Sequence, residues 1–354
     1  MIKVYAPYPT DYFADWFTDE ENFCRSTNQN EVLAQQVKIA CLPAYFSYKI
    51  TPDFIRYNEF DLLLFSDIEF DNIDTAERWI ASLNLSSTNH HLLAVGGLYD
   101  YSVIGDTIYR PWWCFNFVHK NVYKNVDIDP KPYIFDALLG SKKPHRDMLM
   151  SLLQTHGLLN NSIVTYRDVF PAPGQTVDEH LRAAVEVTLQ DQPLLYPYIS
   201  PNLDPAWEVC DNVSNSVSDI SPWSIYQQTR YSIVAETVYK SSFFFSEKTT
   251  KAMFSKRLFV VFSSPGYLTR LRSMGFQTFN NVIDESYDLE QNDVRRFNMA
   301  FQQLKQLTQL DYTQVQAATS VARQHNFDRL YTLEKEIKEE MQEMVYIKLK
   351  EIKC

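Results

Sequence analysis

A chain of 354 residues is long enough for about two domains, and its 45% hydrophobic and 22% charged residues exclude bulk disorder. Only 8 residues are glycine, which excludes collagen-like and glycine-linker architectures and leaves few places for a glycine-rich phosphate loop. The net charge of -11 argues against sequence-independent coating of nucleic acid and against binding to an anionic membrane surface.

The 5 cysteines are odd in number and widely spaced, which predicts neither a disulfide framework nor a structural zinc site. The N-terminus lacks the basic segment and apolar run of a signal peptide, and no apolar run approaches the roughly 18 residues of a membrane span. We therefore expect a cytoplasmic protein without membrane association.

In the first part of the chain, short apolar runs between turn residues predict buried strands. These runs cover residues 2–6, 62–65 and 92–95, and residues 75–83 have the period of a short helix. Prolines and aspartates interrupt the pattern at residues 122–130, so a domain boundary is expected there.

The second part alternates in the same way. Strands are predicted over residues 131–140, 162–166, 229–235 and 258–262, and helices over 145–156, 177–189, 246–255 and 267–274. Pro144 fits the first turn of its helix, and the proline-rich residues 190–225 are predicted to form a long loop. Three further helices are expected over residues 290–307, 312–324 and 327–352.

This alternation predicts an α/β fold with two domains, mostly parallel sheets and a helical C-terminal extension. We expect an N-terminal domain over residues 1–125, a C-terminal domain over 126–310, and helices over 311–354 that pack back on the protein. One side of the last helix carries an apolar stripe: Leu330, Leu333, Ile337, Met341 and Met344. A coiled-coil dimer is the alternative use of this stripe, so the chain is expected to be a monomer or a homodimer.

Positive charge is concentrated in two places. Residues 240–272 contain 7 basic residues and 1 acidic residue, and Lys142, Lys143 and Arg146 form a second group. An acidic chain with such local basic groups is predicted to bind a local anion, such as a diphosphate.

Ser246-Glu247-Lys248 opens a predicted helix shortly after a strand that leads to Glu236. Ser246 is a suitable N-cap, and the exposed amides and dipole of the helix start favour a negative group. The Glu247 carboxylate can accept hydrogen bonds from two adjacent hydroxyls, as on a ribose, while Lys248 and Lys251 can face a diphosphate. The alternative is a capped helix with a solvated Glu–Lys face.

The segment over residues 231–266 resembles the donor motif of the α-1,3-fucosyltransferases and related GT-B glycosyltransferases. In that family a glutamate at a strand end is followed about ten residues later by Ser/Thr-Glu-Lys at a helix start, as Glu236 and Ser246-Glu247-Lys248 are here. The resemblance implies two Rossmann-like domains, a nucleotide sugar held by both glutamates, and a diphosphate bound by nearby lysine and arginine side chains.

Three features depart from the fucosyltransferase pattern. Thr237 stands where that family usually has asparagine, and Phe259 replaces the usual proline. The continuation from Ser264 to Asp288 looks more like uncharacterised phage-encoded proteins with the same Glu-Lys motif. The resemblance therefore implies a nucleotide sugar without specifying fucose.

A second candidate cluster surrounds the predicted start of the helix over 145–156. Lys143 and Arg146 can hold the two phosphates of a diphosphate and His145 can donate to the same group, or the segment is a solvated basic helix start. Arg167 follows the strand over 162–166, and the resemblance implies a diphosphate contact for an arginine in this region.

An inverting GT-B enzyme needs a base from its N-terminal domain to take a proton from the acceptor hydroxyl. Asp100, after the strand over 92–95, is the first candidate and Asp67, after the strand over 62–65, is the second; cap or turn roles are the alternative for each. Asp127-Ile-Asp129 matches the D-x-D metal motif of GT-A enzymes, but the prolines around it indicate a linker.

The sequence thus predicts a metal-independent, inverting glycosyltransferase that uses a nucleotide-diphosphate sugar as co-substrate and no other cofactor. The predicted acceptor is a glycan or hydroxymethylated phage DNA, and the predicted location is the cytoplasm, which is the host's for a phage-encoded chain. The alternatives are a non-catalytic module that binds a nucleotide or sugar phosphate, and a phage interaction protein that uses the C-terminal helix.

Overall fold

The computed structural model describes residues 2–6, 23–43, 56–68, 78, 80–85, 90–95, 106–124, 131–141, 143–167, 223–240 and 243–353. The chain divides into two units. The first comprises Met1–Trp112 with Thr332–Cys354, and the second comprises Trp113–Tyr331. The sequence pattern instead indicated a boundary at residues 122–130, and it assigned residues 311–354 to a separate extension.

The first unit is built on a parallel sheet. Its described strands are β1 (Ile2–Tyr5), β2 (Phe23–Ser26), β3 (Ile39–Pro43), β4 (Leu62–Ile68), β5 (His90–Val95) and β6 (Asp106–Tyr109), in the order β2-β1-β3-β4-β5-β6. Helix α1 (Gln29–Leu33) follows β2, and helix α2 (Trp112–Lys120) begins at the end of this unit. Leu62, Leu63 and Leu64 are fully buried, so the apolar run that predicted a strand forms part of the core.

The second unit has a smaller parallel sheet. Its described strands are β7 (Tyr133–Ser141), β8 (Ser162–Arg167), β9 (Thr229–Ala235) and β10 (Phe259–Phe262), in the order β10-β9-β7-β8. Between and after them lie α3 (Pro144–Thr155), α4 (Trp223–Gln228), α5 (Glu247–Phe254), α6 (Tyr267–Ser273) and α7 (Asp293–Gln309). Because β8 and β9 flank β7 on opposite sides, the strand order reverses at the β7–β9 pair. Ligands of open α/β sheets bind beyond the carboxyl ends of the strands at such a switch point.

The C-terminal helix, α8 (Tyr312–Lys353), is continuous, so the predicted break between residues 324 and 327 is wrong. Asn326 lies within the expected break, and its side chain exchanges two 2.8 Å hydrogen bonds with the main chain of Gln277. Four residues of the apolar stripe, Leu330, Leu333, Ile337 and Met341, are buried within the chain itself, and Met344 is half-buried.

The predicted α/β class, with two parallel-strand sheets and a helical C-terminal region, is confirmed. The sequence missed β2, β3 and β6, and β4 continues to Ile68 instead of ending at residue 65. The predicted helix over 177–189 and most of the loop over 190–225 lie outside the described residues, and α4 begins within the predicted loop. In the part of the chain that the structure describes, no helix has both the length and the apolar character needed to cross a membrane.

Candidate anion-binding site

Residues from two distant segments meet where β7 and β9 end. Lys143, His145 and Arg146 lie at the start of α3, which follows β7, whereas Glu236 and Thr237 directly follow β9. The start of α5 completes the cluster, which we call the switch-point site: Lys143, His145, Arg146, Glu236, Thr237, Ser246, Glu247, Lys248 and Thr249. The topology explains the meeting, because the carboxyl ends of parallel strands share one edge of the sheet.

Glu236 is fully buried, and protein donors occupy both of its carboxylate oxygens. The oxygen Oε1 accepts from the Thr249 amide at 3.3 Å and from the hydroxyls of Thr249 and Tyr267 at 2.6 and 3.0 Å. The oxygen Oε2 accepts from the Ser246 hydroxyl and from the Thr237 amide. The resemblance implied that this glutamate holds the nucleotide sugar, but here it orients the start of α5.

The start of α5 is already satisfied by the protein. Ser246 is the N-cap, as predicted, and its Oγ accepts from the Lys248 amide at 3.2 Å. The next amide, of Thr249, donates to Glu236. The expectation that exposed amides of this helix receive the anion is therefore wrong for these two groups. We therefore expect the positive side chains at this edge, rather than these two amides, to bind an anion.

Two lysines separated by 105 positions in the sequence contact the same residue. Lys143 Nζ donates to the Thr237 main-chain oxygen at 3.0 Å, and Lys248 Nζ donates to the Thr237 hydroxyl at 3.1 Å. Lys248 Nζ also lies 2.8 Å from Glu247 Oε1. The structure thus brings together the two basic segments, as expected of side chains that follow neighbouring parallel strands.

Arg146 and His145 are more deeply buried than these lysines and bind the end of β9. Arg146 Nη2 donates to the carbonyls of Ala235 and Glu236 at 3.2 and 3.4 Å, and His145 Nε2 donates to the Glu236 carbonyl at 2.8 Å. Their exposures of 2% and 0% rule out a solvated helix start. Burial lowers the pKa of Arg146 to about 10, against the opposing effect of Glu236 and Glu247, so it stays charged at neutral pH.

Burial, followed by the positive charge of Arg146, holds the pKa of His145 well below its ordinary value of 6.5. The charges of Lys143 and Lys248 act in the same direction, whereas the bond to the Glu236 carbonyl opposes them. His145 is therefore neutral, with its proton on Nε2, and it acts as a fixed donor to the main chain.

A consequence is a loss of stability in mild acid. Below pH 6.5 the His145 side chain becomes protonated in the unfolded chain but stays neutral in the folded protein. The free energy of unfolding therefore falls by up to about 1.4 kcal/mol per pH unit. His145→Gln keeps a donor near Glu236 and removes the titration. We expect urea unfolding at about pH 7.5 and about pH 5.5 to differ less in this variant than in the wild type. His325→Gln, on α8, is the control; an unchanged difference in His145→Gln would refute the assignment.

Positive charge exceeds negative charge among the described residues of the switch-point site and Lys251. The four cations are Lys143, Arg146, Lys248 and Lys251, and the two carboxylates are Glu236 and Glu247, so cations outnumber carboxylates by two. Burial raises the pKa of Glu247, but Lys248 and Lys251 outweigh it, so the pKa lies below its ordinary value. The buried charges of Lys143, Arg146, Glu236 and Glu247 balance, so the excess comes from the half-buried Lys248 and Lys251, and it favours a dianionic ligand.

The remaining predicted site residues are placed only in part. Arg167 ends β8, where its main chain pairs in register with Ser141 at the same sheet edge as the switch-point site, but its side chain is not described. Asp67 lies inside β4 rather than beyond the strand end, because the strand continues to Ile68. Asp100, Asp127 and Asp129 lie outside the described residues. Within the described ranges, no group of three potential metal ligands occurs.

Sequence reasoning missed three side chains that hold this edge together. Tyr267 and Thr249 bind Glu236, and Arg296 donates at 2.9 Å to the carbonyls of both Ser263, beyond β10, and Tyr239, beyond β9. The sequence offers one signal for the Arg296 contacts: the carbonyls of Tyr239 and Ser263 closely follow predicted strand ends, where a buried donor is needed.

Comparison of the chain with protein-family models, with curated proteins and with solved structures finds no match.

Proposed function

We propose that the second unit binds the diphosphate of a nucleotide sugar at the switch-point site, and that the protein is a glycosyltransferase of GT-B type. The observation that carries the proposal is the convergence of Lys143 and Lys248 on Thr237 at the β7–β9 edge. The excess of two positive charges there equals the two negative charges of the diphosphate in a nucleotide sugar. The two parallel sheets support the proposed pair of Rossmann-like domains.

In this proposal the ligand-facing groups are those with side chains nearest to solvent. The Lys248 side chain is 19% exposed, and Lys143 binds the same residue, Thr237. In the proposed complex the two ammonium groups hold the phosphates. Lys251 adds positive charge, and the Glu247 carboxylate accepts hydrogen bonds from the ribose hydroxyls. Glu236, His145 and Arg146 position these groups from below.

The reaction is a displacement at the anomeric carbon. The acceptor hydroxyl oxygen forms the new bond, the bond from carbon to the diphosphate oxygen breaks, and the hydroxyl proton passes to a carboxylate of the first unit. Asp100, and then Asp67, are proposed as that base. The lysines stabilise the charge that develops on the leaving diphosphate, so the proposed reaction inverts the sugar and needs no metal. The proposed acceptor is a glycan or hydroxymethylated phage DNA.

The proposal is tested by calorimetry with UDP, GDP and their sugar conjugates in the presence of EDTA. We expect one nucleotide class to bind the wild type and to bind Lys248→Met much more weakly. Lys335→Met, which removes an exposed lysine of α8, is the charge-matched control. No binding to any nucleotide would contradict the proposal, and binding that requires manganese or magnesium would favour a GT-A enzyme. Binding without donor hydrolysis or transfer would indicate a non-catalytic module.

Glu247→Gln is expected to weaken nucleotide-sugar binding by roughly 1.5–3 kcal/mol, which is the range for a hydrogen bond to a charged group. The variant keeps the size of the side chain but removes the carboxylate that pairs with Lys248 at 2.8 Å. Calorimetric titration measures the change. Glu340→Gln, on the exposed side of α8, makes the same charge change elsewhere and should leave the affinity unaltered. Equal affinity of Glu247→Gln and wild type would remove the ribose role.

A further inference from the structure

Thr237 is the residue on which the two halves of the switch-point site meet. Its main-chain oxygen accepts from Lys143, its hydroxyl accepts from Lys248, and its amide donates to Glu236. Resting on the proposed function, we infer that the Thr237 hydroxyl positions Lys248 for the anion and donates a hydrogen bond to that anion.

Two acceptors compete for the Lys248 ammonium group. Its ammonium group lies 2.8 Å from Glu247 Oε1 and 3.1 Å from Thr237 Oγ1, so the hydroxyl shares the ammonium group with a carboxylate. A neutral acceptor at this position keeps the lysine from pairing with Glu247 alone. Without the hydroxyl, the stronger charge-assisted bond draws Lys248 to Glu247. Lys248 is then less available to the diphosphate, and Glu247 is less available to the ribose.

The Thr237 hydroxyl can donate a hydrogen bond as well as accept one. A hydroxyl carries one donor and two acceptor positions, and Oγ1 uses an acceptor position for Lys248. Among the contacts of the described residues, this hydroxyl donates to no acceptor, and Thr237 is only half-buried. A hydroxyl that accepts from an ammonium group is polarised and becomes a stronger donor. The geometry therefore supplies a third donor for an anion held by the two lysines.

The two lysines bind different kinds of oxygen atom on Thr237. Lys143 binds the main-chain oxygen of Thr237, which every substitution at this position retains. Lys248 binds the side-chain oxygen, which Thr237→Val removes with little change in shape and Thr237→Ser retains. Substitutions at one position can therefore uncouple one lysine and leave the other in place.

The test measures binding of UDP, GDP and inorganic pyrophosphate by calorimetry to wild type, Thr237→Val and Thr237→Ser. We expect Thr237→Val to bind about tenfold more weakly and Thr237→Ser to restore most of the affinity. The valine substitution is then repeated in Lys248→Met and Lys143→Met backgrounds. Most of its effect should disappear with Lys248→Met and persist with Lys143→Met; an equal effect in both backgrounds would overturn the inference.

A second readout does not depend on a nucleotide. NMR of the protein produced with isotope-labelled lysine gives a side-chain ammonium signal for Lys248, assigned by its absence in Lys248→Met. That signal should shift in Thr237→Val and stay in place in Thr237→Ser. An unshifted signal overturns the inference even if nucleotides bind. A shifted signal in a protein that binds neither nucleotides nor pyrophosphate supports the Thr237–Lys248 contact, while the proposed function and the anion role fail.

Discussion

Glu236→Gln is expected to lower the free energy of unfolding by about 3 kcal/mol and to abolish measurable binding of a nucleoside diphosphate. The carboxylate accepts from main-chain amides on both oxygens, Thr249 on Oε1 and Thr237 on Oε2. A glutamine side chain offers one acceptor oxygen and one amino group. In either orientation of the glutamine side chain, its amino group faces one of these main-chain N–H groups. Neither main-chain N–H group can rotate away. Urea unfolding and calorimetry measure the two effects.

The link between Glu236 and binding is indirect, and a matched control isolates it. Glu285, in the same unit, has a side chain that is only 6% exposed, and its carboxylate accepts from the Phe279 amide, from the Thr278 hydroxyl at 2.7 Å and from Arg272 at 3.0 Å. Glu285→Gln should therefore destabilise the fold while leaving nucleotide affinity near that of the wild type. If both variants lose affinity equally, general destabilisation explains the loss and the positioning role of Glu236 fails.

The parts of the site that the sequence predicts are those whose structure is local. The strand predicted over 229–235 coincides with β9, Ser246 caps α5, and Pro144 is the first residue of α3. A cap or a proline at the first turn acts on the next few residues, so its effect is visible in a short window of sequence. The meeting of Lys143 with Lys248 followed from one further rule, that parallel strands end at a common edge.

The partners of buried groups could not be predicted, because they come from separate segments. Tyr267 reaches Glu236 from 31 positions away, and Arg296 reaches Tyr239 from 57. Sequence periodicity gives each side chain a face of its own element but not the group opposite it. For the same reason the amides of α5 were expected to be open to a ligand, whereas a buried glutamate and a serine hydroxyl occupy them.

The largest loss of stability is expected from Arg257→Met, at about 3–5 kcal/mol. Arg257 is buried in the second unit, where Nη2 lies 3.2 Å from Asp136 Oδ2 on β7. Its Nη1 donates to the carbonyls of Tyr226 and Thr229 at 3.0 and 2.6 Å. Methionine fills much of the same volume but leaves the carboxyl group without its counter-ion and the two carbonyls without this donor. Urea unfolding at neutral pH measures the loss.

The loss in Arg257→Met should also grow with pH. Burial raises the pKa of Asp136 and Arg257 opposes that rise, so removing the arginine raises the folded-state pKa further. The unfolded chain then releases this proton at lower pH than the folded chain, and stability falls as pH rises from about 4 toward the folded-state value.

Asp136→Asn added to Arg257→Met should abolish this slope. Arg323→Met, which removes donors to the carbonyls of Lys256 and Gln316, should destabilise the protein without creating the slope. A slope equal to that of the wild type in Arg257→Met would mean that Asp136 is not held as a buried carboxylate by this arginine.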